Sequence, residues 1–229
     1  IDFMAPHMRP DPMGLHYPVT SLYLDNDRLS MFWSSETREK NRYKLRLRSY
    51  DDHPNTPVYA EVKRRLDRVI KKTRVPIKRE SIPLLLSGCG ADQECLVETT
   101  NQAHLADLHY FCELQAQFQA MPCATVRYQR EAYMSNEDAL LRITFDRDLS
   151  FLPSPEYEES LWKSDAFWHH LHQVPVVMEV KFTDTYPHWV TLLIQRFNLE
   201  RTSLAKYVEC VRTMQQEQHI LHNPRELLI

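Results

Sequence analysis

The feature that most constrains the fold is the segment from Arg42 to Val75, in which charged and apolar residues alternate along three consecutive runs. In the first run, Lys44, Arg46 and Arg48 take one parity and apolar residues take the other. Because neighbouring side chains on a strand point to opposite faces, this alternation predicts a strand with its cations on one face. The corresponding parity of the next two runs holds Glu61, Lys63, Arg65, Lys72 and Arg74.

Two interpretations fit such a charged face. Charge alternation on a single strand is ordinarily the solvated face of a half-covered sheet. Three adjacent antiparallel strands of this kind would crowd like charges together, and burying them without counter-charge is costly. The repetition therefore favours a concave, water-filled surface that holds a polyanion.

Length and charge narrow the choice of ligand. A chain of 229 residues is long enough for one large β-rich domain, which we expect to span residues 1–229. The net charge is −3 and the isoelectric point is near 6.4, so the basic strands lie in an otherwise acidic protein. This segregation argues against a nucleic-acid-binding surface and favours a local cationic site for a phosphate ligand.

Glycine and cysteine usage excludes several kinds of site. The chain has three glycines, Gly14, Gly88 and Gly90, and therefore neither a Walker A loop nor a G-x-G-x-x-G turn. Phosphate would have to be bound by side chains. Five cysteines without C-x-x-C spacing argue against a disulfide framework or a zinc site and favour a reducing cytosol. No apolar run is long enough for direct membrane insertion.

The remaining segments are predicted from periodicity. Residues 26–40 are expected to form a loop or an irregular strand, and residues 80–120 a helical insertion packed outside the sheet. Two helices are expected after Pro187 and Ser203. Strands are predicted at residues 123–135, 139–151 and 176–182. These later elements carry the candidate charged residues Arg127, Arg142, Glu179, Lys181 and Lys206.

Eight short motifs in a fixed order carry a resemblance to a known family. They are SLYLD, RYKLRLR, YAEVKRR, KKTR, VRYQREAY, LRITFD, MEVKF and SLAKY, between residues 21 and 207. With these motifs the chain resembles the VTC domain, the catalytic domain of polyphosphate polymerases within the triphosphate tunnel metalloenzymes. The resemblance implies an α+β fold in which an antiparallel β-barrel forms a tunnel with helices packed outside it. The family's first strand, with its E-x-K pattern, is not expected in this sequence.

The resemblance also implies roles for individual residues. A glutamate of the family holds a divalent metal, Mn²⁺ or Mg²⁺, and Glu179 matches it. Lys44, Glu61 and Lys181 are less specific matches, because their positions equally fit internal salt bridges. The tunnel cations implied as catalytic are Arg46, Arg48, Lys63, Arg142 and Lys206, and those implied as phosphate-binding are Lys44, Lys72, Arg74, Arg127 and Lys181.

The activity implied by the resemblance is transfer of the γ-phosphoryl group of ATP to a growing polyphosphate chain. Phosphoryl transfer depends mainly on charge neutralisation and in-line positioning, and a ring of Arg and Lys supplies both. The alternatives are a triphosphate hydrolase that uses water as acceptor and a sensor that binds without turnover. Expected partners are ATP, inorganic polyphosphate or triphosphate, and a membrane protein that receives the polymer; nucleic acid is not expected.

Overall fold

A computed structural model describes residues 1–51, 53–88, 90–137, 140–153, 168–174 and 176–216. The fold is of the α+β class, as predicted, and is built on one antiparallel sheet with helices packed against it. Residues 217–229, which the single-domain prediction includes, lie outside the described residues. Among the helices within the described ranges, none is long and apolar enough to cross a membrane.

The described residues contain nine strands. The first five include the three alternating runs, which form neighbouring antiparallel strands as predicted. The strands are β1 (Met8–Pro10), β2 (His16–Asp25), β3 (Asn41–Ser49), β4 (Val58–Leu66), β5 (Val69–Ile77), β6 (Met121–Ser135), β7 (Arg142–Pro153), β8 (His169–His170) and β9 (Val176–Lys181).

The sheet runs in the order β5-β4-β3-β2-β6-β7-β8, with β1 paired to β6 and β9 paired to β7. Every pairing is antiparallel. Within the described ranges no ladder joins β5 to β8 or β9, so closure of the sheet into a barrel stays a prediction.

Five helices lie in the described part of the chain, and their bounds differ from prediction in two places. Residues 30–36 form a short helix instead of a loop, because the buried Asp25 carboxylate accepts hydrogen bonds from the backbone N–H groups of Met31 and Phe32. The insertion begins its long helix only after Asn101, whose side chain caps it by accepting from His104 N. The helices are α1 (Ser30–Glu36), α2 (Ile82–Leu86), α3 (Gln102–Phe118), α4 (His188–Arg196) and α5 (Lys206–Gln216).

The two faces of β2–β5 have opposite characters. One face supplies buried aliphatic residues such as Leu45, Leu47 and Val62, and these pack with α2 and α3 into an apolar core. The insertion therefore covers this face of the sheet, and the other parity of β3–β5 carries the charged side chains. Burial of the aliphatic parity fixes the register, since a slip of one residue would exchange the two faces.

Candidate anion-binding site

Cross-strand register gathers the predicted cations of β3, β4 and β5 on one face. Arg46 lies opposite Glu61, and Glu61 lies opposite Arg74 on the next strand. Two residues away on each strand, Lys44 lies opposite Lys63, which in turn lies opposite Lys72. The strand alternation and the register thus bring residues that are up to 30 positions apart in the sequence into two adjacent cross-strand rows.

Glu61 neutralises the first of these rows. Its side chain is 1% exposed and accepts from Arg46 Nε at 2.7 Å and from Lys72 Nζ at 2.8 Å. Arg74 Nε lies 3.6 Å from the same carboxylate. Burial alone would raise the pKa of Glu61, but the charges of Arg46, Arg48 and Lys72 outweigh burial and lower it to about 2. Glu61 therefore forms the internal salt bridge that was the alternative to a ligand role.

In the second row Lys72 is bound by Glu61, whereas Lys44 and Lys63 lack a comparable counter-charge. Within the described part of the chain, neither Lys44 nor Lys63 forms an ion pair, although the two lie directly opposite each other. Burial, together with the neighbouring charges of Lys63 and Arg46, lowers the pKa of Lys44 to about 8. Like charges in directly opposed cross-strand positions destabilise a sheet. This row is therefore stabilised by any anion that binds between the lysines.

Arg48 has donors left for a ligand. Its Nε donates to Ser21 Oγ at 3.0 Å, and the terminal nitrogens have no hydrogen-bond partner among the described residues. The guanidinium of Arg46, by contrast, is fully engaged, because it donates to Tyr23 Oη at 2.9 Å as well as to Glu61. A planar guanidinium with two free nitrogens matches the geometry of two phosphate oxygens.

A second charged cluster lies across β6, β7, β9 and the start of α5. Arg130 binds the fully buried Asp146 bidentately, with Nε–Oδ1 at 2.7 Å and Nη2–Oδ2 at 2.8 Å. Lys206 Nζ bridges Asp146 Oδ2 at 2.7 Å and Glu179 Oε1 at 2.8 Å. Arg130 Nη2 also lies 3.5 Å from Glu179 Oε2. A lysine at the beginning of a helix opposes the helix dipole, and the two carboxylates compensate for this.

Tyr207 holds Lys206 in place. The Tyr207 hydroxyl donates to the buried Asp25 Oδ2 at 2.7 Å, and its ring stacks on Tyr23 with centroids 4.9 Å apart. The same Asp25 carboxylate caps α1, so one side chain ties α1 and α5 to β2. Lys206 follows from this anchorage, because it is the neighbour of Tyr207 at the first position of α5.

Charges of the two clusters influence each other's pKa values. Burial and the charge of Arg46 lower the pKa of Lys63, and the Glu179 carboxylate on β9 acts in the opposite direction. Burial lowers the pKa of Lys181 on β9, as does the charge of Lys72 on β5. β5 and β9 lie towards opposite ends of the strand order, so charges on strands that are distant in the sheet influence each other.

The electrostatic potential around Tyr23 is strongly positive. Burial acts to raise the pKa of Tyr23, yet the charges of Arg46, Arg48 and Lys44 outweigh burial and lower it. A buried tyrosine ordinarily shows the opposite shift. The positive charges around Tyr23 therefore affect its hydroxyl more strongly than burial does.

The sequence prediction missed one interior arginine and included one that lies elsewhere. Arg127 pairs with Thr20 on β2, whereas the interior Ser21 and Tyr23 belong to the other parity, so Arg127 points to the opposite face. Its guanidinium lies over the Trp168 ring at 5.7 Å. Arg130, which pairs with Tyr17, points inward instead. The two arginines are three residues apart, so a single strand cannot direct both inward, and only the register with β2 selects between them.

The remaining predicted residues lie at the margin of the interior. Arg142 donates to Asp11 Oδ2 and to Tyr17 Oη, both at 2.7 Å. Lys181 Nζ lies 4.0 Å from Glu179 Oε2 and its side chain is 57% exposed. Arg74 stacks on the Tyr59 ring with 3.7 Å between its central carbon and the ring centroid.

The donor set at Glu179 fits a metal that is shared with a phosphate ligand. Its side chain is 33% exposed, whereas Asp146 is buried and fully occupied by Arg130 and Lys206. In the described residues no group of three or more His, Cys, Asp or Glu side chains could hold a metal. Mg²⁺ and similar ions commonly bind through one or two carboxylates together with substrate phosphates, and Glu179 is suited to that role.

These features define a protein with an antiparallel sheet that carries two clusters of buried and partly buried charged side chains. The chain matches the sequence profile of the VTC domain over residues 2–215 and therefore belongs to the VTC domain family, as predicted. No match was found among curated proteins. A solved structure, the PH1819 protein from Pyrococcus horikoshii OT3, is similar at 11% identity and a TM-score of 0.45, over 93% of this chain and 91% of that one. Family membership rests on the sequence profile, since a likeness at this TM-score is too weak to argue from.

Proposed function

We propose that this protein is a metal-dependent polyphosphate polymerase that transfers the γ-phosphoryl group of ATP to a growing polyphosphate chain. The observation that carries the proposal is the pair Lys44–Lys63, which forms no ion pair within the described residues, on the strand face that also carries the free guanidinium nitrogens of Arg48. Membership in the VTC domain family supports a function connected with polyphosphate. The tunnel is also part of the proposal: the sheet would curve and enclose the polyanion between its two charged clusters.

The proposed reaction breaks the bond between the γ-phosphorus and the bridging oxygen of ATP, and ADP takes the electron pair. A terminal oxygen of the polyphosphate chain forms the new bond to that phosphorus. This acceptor oxygen is already ionised, so no side chain has to remove a proton. The work of the protein is therefore to bring two polyanions together in line and to neutralise the charge on the transferred group.

These residues have different roles in the proposal. Arg48 binds phosphate oxygens with its two free nitrogens, and Lys44 and Lys63 provide mobile point charges further along the same strand face. Lys206 and Arg130, held by Asp146, approach the ligand from the opposite wall. When bound at Glu179, Mn²⁺ or Mg²⁺ would supply charge neutralisation on non-bridging phosphate oxygens. Arg46 and Lys72 bind Glu61 in the absence of a ligand, and a phosphate would compete for them.

Product analysis tests this function. The protein is incubated with ATP and Mn²⁺, and the products are resolved by length on a gel while ADP is measured in parallel. A polymerase gives a ladder of long phosphate chains with ADP released in step. Orthophosphate as the sole phosphate product would replace the polymerase with a triphosphate hydrolase. Tripolyphosphate binding without turnover would indicate that the protein is a sensor and not an enzyme.

A further inference from the structure

The distal half of the β4–β5 hairpin is a strongly charged segment, of which the proposed reaction uses Lys63 and Lys72 at the base. Residues 63–72, here called the hairpin tip, have the sequence KRRLDRVIKK, with six basic residues and one acidic residue. The whole chain has a net charge of −3, so the positive charge of this short segment contrasts with the charge of the rest of the protein. At its end three aliphatic side chains are exposed: Leu66 by 47%, Val69 by 67% and Ile70 by 54%.

The backbone of the hairpin tip is well defined. Leu66 pairs with Val69, which leaves a two-residue turn at Asp67 and Arg68. Asp67 adopts φ 52°, a left-handed conformation that Asp tolerates better than most residues. Its N–H donates to Lys40 O at 3.0 Å, and its carbonyl accepts from Arg65 Nε at 2.8 Å. The aliphatic residues are therefore presented by a pre-formed turn.

The arrangement of these residues selects among possible partners. Leu66 and Val69 lie on the aliphatic parity of the hairpin, and Ile70 lies on the other, opposite Arg65. A protein groove ordinarily contacts one face of a strand. Apolar residues on both faces of a hairpin are better suited to insertion into the interfacial region of a lipid bilayer. A free polyanion such as polyphosphate has no apolar surface to cover them. Exposed aliphatic residues flanked by Lys and Arg are typical of segments that bind anionic membrane surfaces.

We propose that the hairpin tip docks this protein peripherally onto an anionic lipid bilayer. Leu66, Val69 and Ile70 would enter the interfacial region, and Arg64, Arg68 and Lys71 would lie among the headgroups. Lys63 and Lys72 of the anion site lie at the base of the same hairpin. Docking would therefore bring one end of the cationic interior close to the membrane surface. The inference does not depend on catalysis and is tested without ATP.

Sedimentation with vesicles tests the docking surface. The full chain is mixed with phosphatidylcholine vesicles with or without phosphatidylserine in 0.1 M salt. We expect binding only to the anionic vesicles. The triple variant Arg64→Gln/Arg68→Gln/Lys71→Gln should bind about a hundredfold more weakly, since each basic residue near such a surface contributes about a fivefold change in affinity. The triple variant Leu66→Ser/Val69→Ser/Ile70→Ser should lose about tenfold or more.

Control variants change the same number of exposed residues elsewhere in the described structure and should bind like the wild type. They are Arg9→Gln/Arg28→Gln/Arg201→Gln for charge and Met13→Ser/Val97→Ser/Met121→Ser for apolar surface.

The proposal is overturned if the wild type ignores anionic vesicles, including the case in which it binds an acidic protein instead. Wild-type affinity of the serine variant would equally overturn it, because adsorption through charge alone needs no apolar tip. Hydrogen exchange of the unmodified protein provides a measurement that does not depend on how the variants fold. Vesicles should slow exchange at residues 64–71, and unchanged exchange there would contradict docking.

Discussion

Replacing Glu61 with Gln removes the only carboxylate that contacts the cations of β3–β5 within the described structure. The substitution preserves the size of the side chain and leaves Arg46 and Lys72 without their common counter-charge. Because the carboxylate is 1% exposed, water cannot replace it fully. We therefore expect a large loss of stability in the absence of a ligand.

The size of the expected stability loss follows from the pKa of Glu61. Holding the pKa at about 2 instead of the usual 4.5 corresponds to about 3 kcal/mol of favourable interaction for the ionised carboxylate. Removing one partner of a buried ion pair costs a similar amount, about 3–5 kcal/mol. Since the pKa is depressed in the folded state, this contribution is complete above pH 4.5 and is lost as the pH falls towards 2. The variant and the wild type should therefore differ fully at pH 7 and converge in acid.

Urea unfolding measures how much unfolding free energy the Glu61→Gln variant loses. Adding tripolyphosphate tests whether the missing negative charge is the cause. The anion should raise the melting temperature of Glu61→Gln more than that of the wild type, because it supplies the missing negative charge and no longer competes with the carboxylate. Glu113→Gln on the exposed side of α3 is the control, since in the described structure Glu113 forms no ion pair. Equal stabilities of the two variants at pH 7 would refute the reasoning, as would a smaller response to tripolyphosphate in Glu61→Gln.

Three further substitutions test residues that are proposed to bind phosphate or the metal. Arg46→Ala should weaken tripolyphosphate binding by about 1.5–3 kcal/mol, the usual contribution of a hydrogen bond to a charged group, and unchanged affinity by calorimetry would remove Arg46 from the site. Glu179→Gln should abolish Mn²⁺-dependent turnover while tripolyphosphate still binds; if Glu61→Gln alone abolished turnover, the roles of the two glutamates would be reversed. Arg130→Gln should reduce tripolyphosphate affinity far more than Arg127→Gln, and the opposite order would contradict the observed register.

The sequence predicted much of the first charged cluster because strand periodicity is local. The alternation from Arg42 to Val75 determined which side chains of β3–β5 share a face, and the structure confirms those strands and their pairing. The ambiguity at Glu61 was not local. Whether a carboxylate binds a ligand or neutralises its neighbours depends on cross-strand distances, which register alone decides.

The second cluster depended on tertiary structure to a greater degree. The choice between Arg127 and Arg130 was open in the sequence, because both belong to one motif and only the pairing of β6 with β2 directs Arg130 inward. The short α1 helix was missed for a related reason. Its cap is Asp25, which is itself held by Tyr207, a residue 182 positions further along the chain.

By itself, then, the sequence determined the strands β3–β5, their charged face and the family, because each depends on residue order within a short window. Only the tertiary structure decided which cations are neutralised and which are free. Lys63 on β4 illustrates this, because the Glu179 carboxylate on the distant strand β9 acts to raise its pKa. Electrostatic interactions act through space, and no periodicity along the chain specifies the distance between two charges on strands that the fold brings together.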